Sequence, residues 1–343
     1  MLRDYLQKVM ARQDLSAMEM DALLEQLTGS DVSFAQAGAI LAALQMKGES
    51  VSELVGGAEM LRRHATFIDC GGREVVDVVG TGGDGGVSFN ISTTSAIVAA
   101  GAGVVIAKHG NRAVSGKCGA ADVLAELGFD LAVSPAAMET CICTHGIGFM
   151  FAQKMHPHLG KVAPLRRELG IRTIFNMLGP LCNPAGATRM VVGVYAARLT
   201  ELYANALQAL GVKHAMVVHG NDGLDEISCC DTTRVTELKD GRVRSYEIYP
   251  EMLLGESYDM ADIAGGDAPR NAAILRSVVG GEDHGAPRAV VLLNAAAACY
   301  VAGRAKDLAE GIKMATESID SGAAMAKLET LIAESQEVAE KFS

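Results

Sequence analysis

The sequence predicts an α/β protein in which a small all-helical N-terminal domain precedes a larger α/β domain with a mostly parallel central sheet. Three observations predict it. Residues 1–66 repeat apolar side chains at helical spacing. Residues 74–128 hold two strand–loop–helix units in series. Further strands alternate with a helix between residues 190 and 219 before a hairpin. Strands joined through helices pair in parallel, because a crossover of that length returns the chain in the same direction.

Leu2, Leu6 and Val9 open the chain at helical spacing. Ser16-Ala17-Met18-Glu19 has the form of a capping box, in which serine and glutamate side chains take each other's free backbone N–H groups. Thr28-Gly29-Ser30 breaks the pattern. Ser33 caps a helix with Ala37, Ile40, Leu41 and Leu44 on one face, and Ser50 starts another that runs to about residue 64. None of these residues carries chemistry. The segment reads as a bundle that packs on the sheet domain or on a partner subunit. The first domain is placed at 1–66, with helices near 156–185 able to join it, and the second at 67–343.

Residues 75–79 are a β-branched run, the pattern of a buried strand. They run into GTGGDGG at 80–86, a turn without side chains whose backbone N–H groups can close on a phosphate. The string NISTTS at 90–95 opens an alanine-rich helix ending at Gly101, and a helix N-terminus favours an anion. A second strand at 104–107 ends in Lys108, His109, Gly110, Asn111 and Arg112. Another polar loop and helix follow, stopped by Gly128. Strand ends of this kind form the ligand edge of an open α/β sheet.

Two short motifs can be set aside. Gly80, Gly82 and Gly85 satisfy G-x-G-x-x-G, but a dinucleotide fold needs an acidic residue at the second strand's end, where Lys108 stands. Residues 110–117 approach a P-loop with one residue too many between the glycines, and Cys118 replaces the Ser/Thr.

Beyond this region, Ser134-Pro135 starts a helix and residues 146–152 look strand-like. A basic helical run covers 161–170, residues 172–175 read as a short strand, and 176–183 as a loop rich in glycine and proline. A strand at 190–195, a helix at 199–210 ended by Gly211, and a strand at 214–219 follow. Asp240-Gly241 marks a hairpin within 236–249. From 268 the chain reads as three helices, the middle one, 289–301, buried.

A chain of 343 residues with 49% hydrophobic content can build one large or two moderate cores. Its net charge of −11 weighs against a non-specific nucleic-acid binder. It also means that an anionic substrate needs a local cationic pocket. Eight cysteines include no C-x-x-C pair, which suits buried thiols in a reducing compartment rather than a zinc site. The N-terminus lacks a signal peptide's apolar core. The longest apolar run is broken by Asn294 and too short to span a bilayer. A cytoplasmic protein without nucleic-acid or membrane partners is expected.

Asp222, Asp225 and Glu226 follow the strand ending at His219. Carboxylates without histidine or cysteine among them are hard ligands suited to Mg²⁺, and Ser92 could add a hydroxyl. With Lys108 and Arg112 and the two anion cradles, this set suits a diphosphate. Asn111 and Arg166 could hold a second, planar or carboxylated ligand, since arginine pairs bidentately with carboxylate. His109, His156 and His158 are candidates for proton transfer or orientation.

In these residues the chain resembles the anthranilate phosphoribosyltransferase family, within the nucleoside phosphorylase/phosphoribosyltransferase type II fold. The matching segments are GTGGDGGVSFNIST (80–93), KHGNRAVS (108–115), GAADVLAELG (119–128), HPHLGKVAPLRRELGIRTIFNMLGPLCNPA (156–185), HGNDGLDEIS (219–228) and LLNAAAACYVAG (292–303). The resemblance implies a homodimer with its active site between the helical and α/β domains. It implies a Mg²⁺-dependent transfer of the phosphoribosyl group of phosphoribosyl pyrophosphate (PRPP) to the anthranilate amine. The products are N-(5-phosphoribosyl)-anthranilate and pyrophosphate, in the second step of tryptophan biosynthesis from chorismate.

For PRPP it implies Gly80, Gly83, Asp84 and Ser88, then Asn90, Ile91, Ser92 and Thr93. The loop of Lys108, His109, Gly110, Asn111, Arg112, Ala113, Val114, Ser115 and Gly116 is implied with them, and Ala120 beyond it. For anthranilate it implies Gly80, His109, Asn111 and Arg166, with Arg166 near the carboxylate. For Mg²⁺ it implies Ser92, Asp225 and Glu226. No general base is assigned, because an aromatic amine is neutral at pH 7 and already nucleophilic.

The chain departs from the family where Gly116-Lys117-Cys118-Gly119-Ala120 replaces a serine-lysine-serine-glycine-serine loop, where Ser88 replaces threonine, and where Gln153 replaces proline. Gly116 keeps its backbone N–H. Cys118 and Ala120 remove hydroxyls, so weaker PRPP binding is expected, by roughly fivefold for one neutral hydrogen bond. The alternatives are a related phosphoribosyltransferase or pyrimidine nucleoside phosphorylase with another acceptor, and a non-catalytic relative that binds a phosphorylated ligand.

Overall fold

The computed structural model describes residues 2–29, 32–82, 86–113 and 116–341. Helices α1 (Leu2–Met10), α2 (Ala17–Leu27), α3 (Phe34–Lys47) and α4 (Val51–Arg63) form the N-terminal bundle. The expected capping box exists at Ser16 with Glu19, and Ser50, expected only as a helix start, forms a second one with Glu53, while Ser33 makes no side-chain cap bond. Glu53 also takes the Leu15 N–H (2.9 Å) and the Lys47 ammonium (2.9 Å), which satisfies a wholly buried carboxylate. At Gly56 a Cβ would lie 2.1 Å from the Ala17 carbonyl oxygen, so only glycine lets α2 and α4 cross this closely.

The α/β part follows in chain order: β1 (Val76–Gly80), α5 (Ile91–Gly101), β2 (Ile106–Gly110), α6 (Ala120–Glu126), α7 (Pro135–His145) and β3 (Ile147–Phe151). The chain then crosses through α8 (Ala152–Met155), a 3₁₀ turn (Pro157–Lys161), α9 (Ala163–Leu169), α10 (Ile174–Leu178) and a second 3₁₀ turn (Gly179–Leu181). It re-enters the sheet at β4 (Arg189–Gly193). There follow α11 (Leu199–Ala209), β5 (His214–Gly220), β6 (Thr233–Lys239), β7 (Arg242–Ile248) and α12 (Pro250–Leu254). The last elements are α13 (Ala268–Val279), α14 (Ala286–Val301), α15 (Leu308–Asp320) and α16 (Ala323–Lys341).

The strands form a seven-stranded sheet of order β3-β2-β1-β4-β5-β6-β7. Pairs from β3 through β5 are parallel, and β6 and β7 are antiparallel. The order reverses between β1 and β4, so the switch point, where such sheets bind ligands, lies over Gly80 and Gly193. Alternate residues feed opposite cores. Val191, Met216 and Val218 join α5 and α14, while Met190, Val192, Ala215 and Val217 join α11 and the N-terminal bundle.

Several expectations need correction. Residues 172–175 are not a strand, and 176–183 are not a plain loop. Asn176 Oδ1 accepts the Thr173 N–H (3.0 Å) and starts α10. The run RTIF was apolar enough for either state, and burial beneath the bundle favours the helix. The second strand begins at Ile106, not 104, and includes Lys108, His109 and Gly110. From 268 there are four helices rather than three, because Gly322 (φ +80°) turns the chain between α15 and α16. The middle expectation holds, as α14 is buried.

Candidate active site

The two polar loops picked out by their sequence meet. A Cβ on Gly86 (φ +75°) would stand 2.8 Å from the Gly116 Cα, so the turn after β1 touches the loop after β2 through two glycines. The descending leg of the first turn is pinned from the far side. Ser88 bridges Ala264, and the Gly265 N–H donates to Val87 O (2.8 Å). Gly83, Asp84, Val114 and Ser115 lie outside the described residues.

The first turn of α5 is open. Asn90, its N-cap residue, makes no cap bond, because its side chain donates to Cys118 O (3.1 Å) and accepts from Asn271 Nδ2 (3.0 Å). The Thr93 hydroxyl is buried without a partner among the described residues. An uncapped N-terminus with Ile91, Ser92 and Thr93 at its start is an anion cradle. Cys118 Sγ bonds Asn90 Oδ1 (3.4 Å), so the thiol that departs from the family pattern supports this helix start.

Lys108 is nearly buried and donates to Val78 O (2.5 Å) and Ser92 Oγ (3.2 Å). Burial draws its pKa down, and the charges of Asp77 and Glu226 oppose that. Arg112 pairs with Asp122 (2.6 Å), whose other oxygen takes the Ala113 and Gly119 N–H groups (2.9 Å each) and closes the loop ahead of Ala120. Asn111 Oδ1 accepts its neighbour Arg112 N–H (2.8 Å) and lies 3.5 Å from Gln153 Nε2, a donor that proline could not offer.

Asp225 and Glu226 sit over the switch point. A Cβ on Gly80 would meet Asp225 Oδ2 at 2.9 Å, and one on Gly193 would meet the Asp225 carbonyl oxygen at 1.6 Å. Both carboxylates are mostly buried. Asp222 does different work, since its oxygens accept the Leu224 N–H (3.1 Å) and the Ser228 hydroxyl and so shape the loop. Asn294, which broke the apolar run, clamps both the N–H and the C=O of Ile227 (2.9 Å each). The donor set fits magnesium: two carboxylates and the Ser92 hydroxyl are hard oxygens. Lys108 ties them together, since it bonds Ser92 and senses the Glu226 charge.

The crossing segment closes over this edge. His109 Nδ1 lies 3.3 Å from Gly179 O, and Arg172 donates to Gly82 O (3.1 Å) while stacking 4.3 Å above the Tyr195 ring. Burial pushes His109 down to about 3, so the ring is neutral at pH 7. With Nδ1 donating to Gly179, Nε2 is a buried acceptor without a partner among the described residues. His156, 5.0 Å away, bonds Cys182 O (3.1 Å), whereas His158 stacks on His64 of the bundle. Arg166 is half-buried with Phe175 beneath it (5.7 Å), and among the described residues no hydrogen bond or ion pair engages its guanidinium. Burial lowers its pKa. An unpaired cation in that setting calls for an anionic ligand.

Sequence reasoning missed Asp77, Asn183, Arg172 and Gly193. The first two are polar residues in apolar surroundings, the one signal that could have marked them.

The chain matches the glycosyl transferase family helical bundle domain over residues 3–65 and that family's a/b domain over residues 72–325. The anthranilate phosphoribosyltransferase of Desulfosudis oleivorans is 51% identical over 332 residues, covering 97% of this chain and 98% of that one. The enzyme of that name from Syntrophobacter fumaroxidans is 50% identical with the same coverage. Among solved structures, anthranilate phosphoribosyltransferase (TrpD) from Thermus thermophilus superposes with a TM-score of 0.90 at 38% identity, covering 97% of this chain and 99% of that one. The Saccharomyces cerevisiae enzyme in complex with PRPP and Mg gives 0.88 at 29% identity, covering 98% of each.

Proposed function

The chain belongs to the anthranilate phosphoribosyltransferase family, and we propose that it carries out that family's reaction, joining the anthranilate amine to PRPP with magnesium bound. One observation carries the reading. Asp225, packed on the Cα atoms of Gly80 and Gly193, brings the carboxylates to the start of the phosphate turn.

PRPP binds along Gly80, Gly83, Asp84, Ser88, the α5 start from Asn90 to Thr93, and the loop from Lys108 to Gly116 with Ala120. Ser92, Asp225 and Glu226 would hold magnesium, which would supply positive charge for the departing diphosphate. Lys108 and the backbone N–H groups of the two loops stabilise the same developing charge from the protein side. Anthranilate lies against Gly80, His109 and Asn111 with its carboxylate on Arg166.

The amine nitrogen attacks C1′, the new N–C bond forms as the C1′–O bond to pyrophosphate breaks, and the proton released from nitrogen passes to solvent water. Neutral His109 can accept a hydrogen bond from that amine and orient it. Alignment of amine and C1′ supplies much of the rate.

We place the functional division between residues 1–66, joined by the crossing segment near 156–185, and the remainder of 67–343. A homodimer is supported by Met10, Met18, Phe34 and Met46, apolar side chains exposed on the N-terminal helices. A cytoplasmic location is supported by eight free cysteines. Among the described residues no helix is long and apolar enough to cross a membrane.

The test is anthranilate fluorescence over time with PRPP, with and without Mg²⁺. A magnesium-dependent loss of signal is expected. An unchanged signal at high enzyme concentration would point to a different acceptor.

A further inference from the structure

Between β1 and β2 the parallel ladder stops short of the site. Its register is set at Val76 and Ile106, where the Val76 N–H donates to Val105 O (2.8 Å). The next rungs of a parallel pair would join the Val78 N–H to Ala107 O and the His109 N–H to Val78 O. Side chains take three of these four groups instead. Asp77 accepts the His109 N–H (3.1 Å). Asn183 Nδ2 donates to Ala107 O (2.8 Å) and to Asp77 Oδ2 (2.7 Å). Lys108 Nζ takes Val78 O. The carboxylate, amide and ammonium together form a wedge that holds the two strands apart at their C-terminal ends.

We propose that Asp77 and Asn183 are positioning residues for the reaction: their wedge fixes the end of β2, and with it Lys108 at the phosphate edge and His109 beside the acceptor. The proposal rests on the reading of the site given above. Asp77 is 0% exposed and Asn183 3%, so neither touches a substrate; they act through residues 108 and 109. A carboxylate is required at 77 because both groups bonded to it are donors, the His109 N–H on one oxygen and the Asn183 amide on the other. The Asn183 amide cannot turn over to help, because its oxygen accepts the Ala185 N–H (2.9 Å). In Asp77→Asn one donor must face another.

The wild-type enzyme is assayed first with anthranilate and PRPP. Absence of turnover there would sink the reading of the site, and the wedge would still be tested by amide exchange. In Asp77→Asn, kcat/KM for both substrates should fall by roughly ten- to a hundredfold, the cost of an unsatisfied buried donor. Leu238→Ala, buried and paired with Ala215 at the sheet edge opposite the site, serves as the control for stability loss and should keep its kcat/KM. Asp77→Asn behaving like Leu238→Ala would reduce Asp77 to a structural role and overturn the proposal.

Hydrogen exchange supplies a readout apart from activity. The His109 amide should exchange slowly in the wild type and faster in Asp77→Asn, while the Val76 amide on the intact rung keeps its rate. Should Asp77→Asn fail to fold, Asn183→Ala is expected to show the same kinetic loss. Rapid exchange of the wild-type His109 amide would overturn the wedge by itself.

Discussion

Gly193→Ala adds one methyl group at the switch point, and the structure fixes its consequence. The new Cβ would stand 1.6 Å from the Asp225 carbonyl oxygen and 3.4 Å from the Asp225 Cβ. Ordinary contact distance is about 3.5 Å, so the Asp225 backbone must retreat by about 2 Å. Gly193 is not among the positive-φ residues, so alanine meets no backbone strain and the effect is purely steric. The retreat carries the Asp225 and Glu226 carboxylates with it. A displacement of about 1 Å at a reacting site can cost about a hundredfold, so kcat/KM should fall at least a hundredfold and the magnesium requirement should rise. Overpacking of this kind costs about 1–3 kcal/mol, which leaves the chain folded with Tm lowered by a few degrees. Steady-state anthranilate fluorescence across a magnesium series measures the first effect, and thermal unfolding the second. A fall of less than tenfold, with unchanged magnesium dependence, would refute the placement of Asp225.

Arg166→Ala should raise the anthranilate KM by roughly ten- to a hundredfold, the value of a charge-assisted hydrogen bond, and leave the PRPP KM near its original value; an unchanged anthranilate KM would remove Arg166 from the carboxylate. Asp225→Ala combined with Glu226→Ala should abolish magnesium-dependent turnover, read as product formed over a magnesium series, and full activity would take both out of the metal site. Acidification should act through His109, which burial pushes down to about 3. Its stabilising contribution is complete above the ordinary histidine pKa of about 6.5 and is lost as pH falls from there toward 3. Tm should therefore begin to fall as pH drops through about 6.5, and His109→Asn should lack that drop.

What could be read from the sequence was what local chemistry determines. The capping box at Ser16, the helix start at Ser50 and the Asp240-Gly241 hairpin each depend on a few neighbouring residues, and the long family motifs pointed to the activity class. The errors arose where distant packing decides. RTIF at 172–175 has a strand's composition, but its place beneath the bundle makes it the entry to a helix. Asp77 lies inside a β-branched run and would read as a defect there. Its meaning appears only when β4 and the 183–187 turn lie beside β1 and β2. Gly193 resembles any strand-end glycine until Asp225, more than thirty residues later, is found against its Cα.

The wedge, with Asp225 and Glu226 as the proposed magnesium ligands, accounts for how a chain of net charge −11 can hold a strongly anionic substrate. Of the acids at the ligand edge, Asp122 is engaged by Arg112 and two backbone N–H groups, and Asp77 is sealed between the strands. Neither faces the cleft as free negative charge. Asp225 and Glu226 do lie at the phosphate turn, and unscreened they would repel a diphosphate. Lys108 offsets only part of this, since it is already shared among Val78, Ser92 and the field of Asp77. The electrostatics therefore favour a diphosphate that arrives with a divalent cation over the bare anion. On this argument metal and substrate affinities are linked, each raising the other by the same factor.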